Sequence, residues 1–275
     1  MSQDHDTKKI FKKEIPDAVK EFDTLYIGCS HATGTYDKND NIINRIESIP
    51  YATSKLLNQK WKSIALSGHG IFAYATIIEY LLQCKKLYYK NIIIQQTFEP
   101  RLNFVEEERL HKIIYEYMLN DKDTTLHAYV QPYWWCFITS QQKLHDEQFK
   151  TSQSKLDYLR HLQDFDAKFN KTRDVGPGPD NLWIDMSYRY IELLCKIKGI
   201  NLYSFAWATS FRDTEYIKST RNVKLGGKPS IIDWLGDKKD KVLTNGGKHP
   251  MKEAVQIVSE ELANQLQSKL SIQYY

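Results

Sequence analysis

Three short apolar runs fall within the first hundred residues: "TLYIGC" (Thr24–Cys29), "SIALSG" (Ser63–Gly68) and "NIIIQQT" (Asn91–Thr97). Runs of this length, closed by Gly or polar residues, suit strands covered on both faces, as in a parallel sheet. Parallel strands need long crossovers, and helical patterns stand where crossovers are needed. "IFAYATIIEYLLQCKK" lies between the second and third runs. "EEERLHKIIYEYMLN" follows the third, with apolar residues at Leu110, Ile113, Ile114, Tyr117 and Met118. Its acidic start complements a helix dipole. The β-α-β-α order predicts a doubly wound α/β sheet.

The pattern then loosens. Residues 121–180 hold "PYWWCF", a charged helix-like stretch "SKLDYLRHLQDF" and the loop "VGPGPD". They read as an insertion within one domain spanning 1–275. The α/β pattern resumes with a helix over "NLWIDMSYRYIELLCKIKG" and a fourth strand over "INLYSFAWAT". A final helix runs over "HPMKEAVQIVSEELANQLQSKL", with Pro250 near its first turn.

Composition excludes several classes. A net charge of +4 is too balanced for a nucleic-acid binder. No run approaches the roughly 18 apolar residues of a membrane span. The N-terminal "MSQDHDTKKI" has no apolar core of a signal peptide, so a cytoplasmic protein is expected. Cys29, Cys84, Cys136 and Cys195 lack CxxC spacing and read as free thiols in a reducing compartment. The Lys-, Asn- and Ile-rich composition is that of an AT-rich genome, such as a virus can have.

In a parallel α/β sheet, ligands sit at the C-terminal ends of the strands. Ser30 and His31 follow the first strand, Gly68, His69 and Gly70 the second, and Gln95, Gln96 and Thr97 end the third. His249 stands at the mouth of the last helix. A serine hydroxyl needs a base within hydrogen-bond reach to act as a nucleophile. Imidazole, with an ordinary pKa near 6.5, is suited to that task. Backbone N–H groups at Ser30 and at Gly68 or Gly70, with a side chain from the third strand end, are candidate oxyanion donors. The competing reading of Ser30 is a helix cap; that of the glycines is a turn. Cys29, His31, His69 and His249 together raise a metal reading, but no two have helical ligand spacing. "GCSHATGT" lacks the Lys of a phosphate loop. Arg101 either meets an acidic substrate group or pairs with Glu99 or Glu106. "PYWWCF" forms either a wall over the site or the core of the insertion.

Three blocks resemble those of the SGNH, or GDSL-like, hydrolase family. Gly28-Cys29-Ser30, with Gly34 behind it, stands for the block that carries the nucleophile. "SGHG" stands for the block that gives an oxyanion glycine, and Gly246-Gly247-Lys248-His249-Pro250 for Asp-x-x-His-Pro. The resemblance implies a flavodoxin-like α/β/α sandwich and a serine ester hydrolase, with Ser30 as nucleophile and His249 as base. It implies acyl or acetyl esters, carbohydrate esters among them, and no cofactor or metal. His31, His69 and Arg101 would then line the substrate, with Gln96 or Thr97 as the third oxyanion donor. Two positions depart from the family. Gly246 replaces the usual Asp, and "QQTFEPR" supplies no Asn. The orienting group for His249 is then a backbone carbonyl, Asp237 or Asp240. Without one, the alternative is a catalytically weak module that binds a glycan or a protein.

Overall fold

A computed structural model describes residues 20–66, 70–84, 87–96, 101–104, 107–120, 125–128, 135–138, 179–208, 222–246 and 248–270. Nine strands lie among them in chain order: β1 (Lys20–Gly28), β2 (Thr35–Tyr36), β3 (Ile42–Asn44), β4 (Trp61–Leu66), β5 (Leu87–Gln96), β6 (Arg101–Phe104), β7 (Leu126–Ala128), β8 (Trp135–Ile138) and β9 (Asn201–Ala206). The helices are α1 (Ile49–Leu56), α2 (Ile71–Gln83), α3 (Glu107–Leu119), α4 (Pro179–Lys198), α5 (Ile231–Leu235), α6 (Lys239–Val242) and α7 (Lys252–Leu270).

The apolar runs become a five-stranded sheet in the order β7-β4-β1-β5-β9. All four pairings are parallel. Alternation along each strand divides the core in two. Leu25, Ile27, Ile64, Leu66, Ile92 and Ile94 face α2, α3 and α4. Tyr26, Ala65, Ile93, Tyr203 and Phe205 face α7 and Ile49 of α1. A strand buried on both sides cannot alternate apolar with polar, which is why these segments read as continuous runs. Helices therefore cover both faces of the sheet.

The sequence predicts β1, β4, β5 and β9 near their observed bounds. β7 is a further strand, paired to the outer edge of β4, and it falls inside the stretch 121–180. Also in that stretch, β8 forms an antiparallel ribbon with β6, so the Arg101 segment lies beside part of "PYWWCF". The side chains of that ribbon, and "SKLDYLRHLQDF", lie outside the described residues. α7 starts at Lys252 rather than at Pro250, because Pro250 is held in an antiparallel bridge to Leu243. Among the described residues, no helix is long and apolar enough to cross a membrane.

The chain passes from β1 to β4 on one side, then back across β1 to β5 on the other. In α/β sheets such a reversal marks the place, here the C-terminal ends of β1 and β5, where ligands are held. Ser30 follows β1 at that place.

Candidate functional site

β1 ends at Gly28, Cys29 stays extended, and Ser30–Ala32 form one tight 3-10 turn. The capping position of that turn belongs to Cys29, whose side chain makes no cap. The Ser30 hydroxyl is turned elsewhere. Its Oγ lies 2.8 Å from Nε2 of His249, 219 residues further along the chain. Nδ1 of the same ring lies 2.8 Å from Oδ1 of Asp40. An ionised carboxylate only accepts hydrogen bonds, so Nδ1 carries the ring proton. Nε2 then presents its lone pair to the Ser30 hydroxyl. This is the arrangement of a nucleophile, a general base and an orienting acid.

Asp40 comes from the tip of the β2–β3 hairpin, a source the sequence reading did not consider. Gly34 lets this hairpin fold tightly. A Cβ there would lie 2.1 Å from the Asn44 carbonyl oxygen, closer than any side-chain carbon can sit. Asp37 organises the tip by accepting from the backbone N–H groups of Asn39 and Asn41, at 2.8 and 2.9 Å. Asp40 itself sits at φ 64°, and Lys248, just before His249, at φ 52°. Left-handed conformations are uncommon for residues with a side chain and gather at sites where geometry is over-determined.

The proposed orienting groups are thus corrected. Nδ1 of His249 pairs with Asp40, not with Asp237, Asp240 or a backbone carbonyl. Asp237 and Asp240 are exposed, and Asp240 instead pairs with Lys248 Nζ at 3.3 Å. Gly246 also acquires a reason. A Cβ at that position would stand 2.5 Å from Oδ2 of Asp40. The place where a side chain of residue 246 would begin is occupied by the carboxylate from the hairpin. The hairpin's "YDKNDN" is a strong turn signal, which marks the reversal but does not point to His249.

Two rings stack on the base. Tyr36 lies 4.3 Å from the His249 ring at an interplanar angle of 13°, and His31 lies 4.7 Å away at 29°. Tyr36 does more than pack. Its hydroxyl donates to the Ser30 carbonyl at 2.7 Å, and its N–H donates to the Pro250 carbonyl at 3.0 Å. Burial pushes its phenol up to about 12, so it stays a neutral donor at any ordinary pH. His31 is buried, with Nδ1 2.8 Å from Cys29 Sγ and its ring 4.6 Å from that of Trp207. It therefore lies behind the base, held by packing.

The remaining predicted residues divide. Gly70 is buried and directly precedes α2, at the same end of the sheet. Gln96 closes β5 and is buried, and its Oε1 makes no hydrogen bond. Its neighbour Gln95 accepts from Tyr26 Oη at 3.1 Å, while its buried Nε2 has no partner. Gly68, His69, Thr97 and Gly247 lie outside the described residues, as does the Arg101 side chain. Among the described residues no cluster of His, Cys, Asp and Glu could hold a metal ion. Cys29, Cys84 and Cys195 are free thiols.

Comparison of the chain with protein-family models, with curated proteins and with solved structures finds no match.

Proposed function

We propose that the protein is a serine-dependent ester hydrolase built on a flavodoxin-like α/β/α sandwich of the SGNH type. The observation that carries this reading is the chain of contacts Ser30 Oγ to His249 Nε2 and His249 Nδ1 to Asp40 Oδ1, each 2.8 Å. Structural capping or packing asks for no such alignment of hydroxyl, imidazole and carboxylate from three separate segments. The order serine, acid, histidine along the chain is one of several that geometry allows.

Ser30 Oγ attacks the ester carbonyl while His249 Nε2 takes its proton. Asp40 stabilises the imidazolium that results. Amides at Ser30 and Gly70, with a side chain from the end of β5, hold the oxyanion. The intermediate then collapses. The C–O bond to the alcohol breaks, and the proton on Nε2 goes to the leaving oxygen. Water, deprotonated by the same imidazole, attacks the acyl-serine and releases the acid. Acyl or acetyl esters, those on carbohydrate included, are the proposed substrates.

A fluorophosphonate probe and a panel of short-chain aryl esters test the reading. Wild type should be labelled at Ser30 and turn over at least one ester, and Ser30→Ala and His249→Ala should do neither. Wild-type silence in both assays sinks the hydrolase and leaves a binding module on the same fold.

A further inference from the structure

We infer that Thr244 is a positioning residue of the triad, fixing Asp40 and the backbone of His249 through one hydroxyl. The inference rests on the proposed function for its chemistry and on the local geometry for its direction. Thr244 is fully buried. Its Oγ1 accepts from the backbone N–H of His249 at 2.9 Å. The same oxygen donates to Oδ1 of Asp40, the oxygen that also faces His249 Nδ1. Its direction follows without sight of the hydrogen. An amide N–H can only donate, so the Thr244 oxygen must accept from it. The single hydroxyl proton is then committed to the carboxylate.

The backbone makes this link rigid. Thr244 N–H donates back to the His249 carbonyl at 3.0 Å, and Met251 N–H donates to the Val242 carbonyl at 3.0 Å. Residues 244 and 249 thus close a small loop by two reciprocal bonds, and the hydroxyl extends that loop to the hairpin. Asp40 Oδ1 receives two donors, which fixes the carboxylate in the plane where Nδ1 can use it. It also favours the ionised form of the acid.

The test compares Thr244→Val, which keeps the shape and removes the hydroxyl, with Thr244→Ser, which keeps the hydroxyl. Losing a hydrogen bond to a charged group should lower kcat/KM about 10- to 100-fold in Thr244→Val. The loss should fall on kcat more than on KM. The acid limb of the pH–rate profile should move to higher pH, because a carboxylate with one donor fewer pairs more strongly with the imidazolium. Thr244→Ser should restore both. A second readout needs no turnover: the His249 titration followed by NMR should move upward in Thr244→Val and return in Thr244→Ser. An unchanged titration in Thr244→Val, or an equal defect in Thr244→Ser, overturns the positioning role. Failure of ester turnover in wild type sinks only the hydrolase proposal, since the NMR titration still decides the inference. Thermal melts of both variants check that each is folded; a Thr244→Val protein that does not fold leaves Thr244→Ser to decide, by a wild-type titration for the role or a displaced one against it.

Discussion

Asp40→Asn isolates the charge of the orienting acid. The substitution keeps the shape of the side chain, and the hydroxyl of Thr244 still needs an acceptor at the Oδ1 position. The carboxamide should therefore keep its oxygen towards Thr244 and His249 and turn its NH2 towards Gly246, where no side chain stands. The ring keeps its tautomer, and the loss is electrostatic. Unit charges about 4 Å apart attract by about 4 kcal/mol at an effective dielectric of about 20. The His249 and Asp40 side chains are 17% and 30% exposed, so solvent screens part of that. An attraction of about 3 kcal/mol corresponds to about 10²-fold in kcat. The upper bound is the roughly 10⁴-fold loss of a serine protease whose acid becomes an amide of the wrong orientation. The expected result lies between, nearer 10², with KM little changed and the thermal midpoint close to wild type. Steady-state hydrolysis of an aryl ester measures it, with the rate of fluorophosphonate labelling as a check on the acylation step alone. An Asp40→Asn enzyme within about threefold of wild type, while Ser30→Ala is inactive, would falsify the assignment of Asp40.

Two further outcomes follow from the same geometry. A Cβ at residue 246 would lie 2.5 Å from Asp40 Oδ2, too close for both atoms to stay where they are. Gly246→Ala should therefore displace the carboxylate and lower kcat/KM at least about tenfold with the fold intact; wild-type turnover in Gly246→Ala refutes this. The second outcome concerns alkaline pH. Tyr36 has its phenol raised from 10.0 to about 12 by burial, so the stability it lends is complete below pH 10 and is lost as pH rises through 12. Tyr36→Phe should lose about 1 kcal/mol at pH 8 with the bond to the Ser30 carbonyl, and its stability should then fall less steeply between pH 10 and 12. Denaturant midpoints across that range measure both, and parallel curves count against Tyr36 as the titrating group.

Much of the sheet was legible because burial on both faces favours a continuous apolar stretch, and "LYI", "IAL" and "III" stand inside β1, β4 and β5. β7 was not legible. Three residues at a sheet edge carry too little pattern, and Leu126–Ala128 form a strand only because β4 offers them an unpaired edge. The meeting of Ser30 and His249 could be expected from strand ends and from the block resemblance. Asp40 could not, because the resemblance directed attention to the residues before His249. The acid instead comes from 209 residues away, chosen by space rather than by chain distance. Its segment, "YDKNDN", reads as a turn and is one. A turn signal says where the chain reverses but not what its tip will touch.

Two residues each link segments of the site. Tyr36 bonds to the Ser30 carbonyl, bonds to the Pro250 carbonyl and stacks on His249. Thr244 bonds to both Asp40 and His249. Tyr36 and Thr244 thus tie together the end of β1, the β2–β3 hairpin and the loop before α7, with the Ser30 carbonyl, the Pro250 carbonyl and the His249 N–H among their partners. Backbone positions shift less than side chains when rotamers change, so a site anchored this way keeps its distances in the absence of substrate. In the proposed hydrolase, preorganisation of that kind would let a hydroxyl, an imidazole and a carboxylate act without rearrangement at the moment of reaction. It would also let an acid from a hairpin serve as well as one beside the histidine. What the chemistry requires is a fixed negative charge at Nδ1, and two hydrogen-bonded segments can fix it as firmly as one.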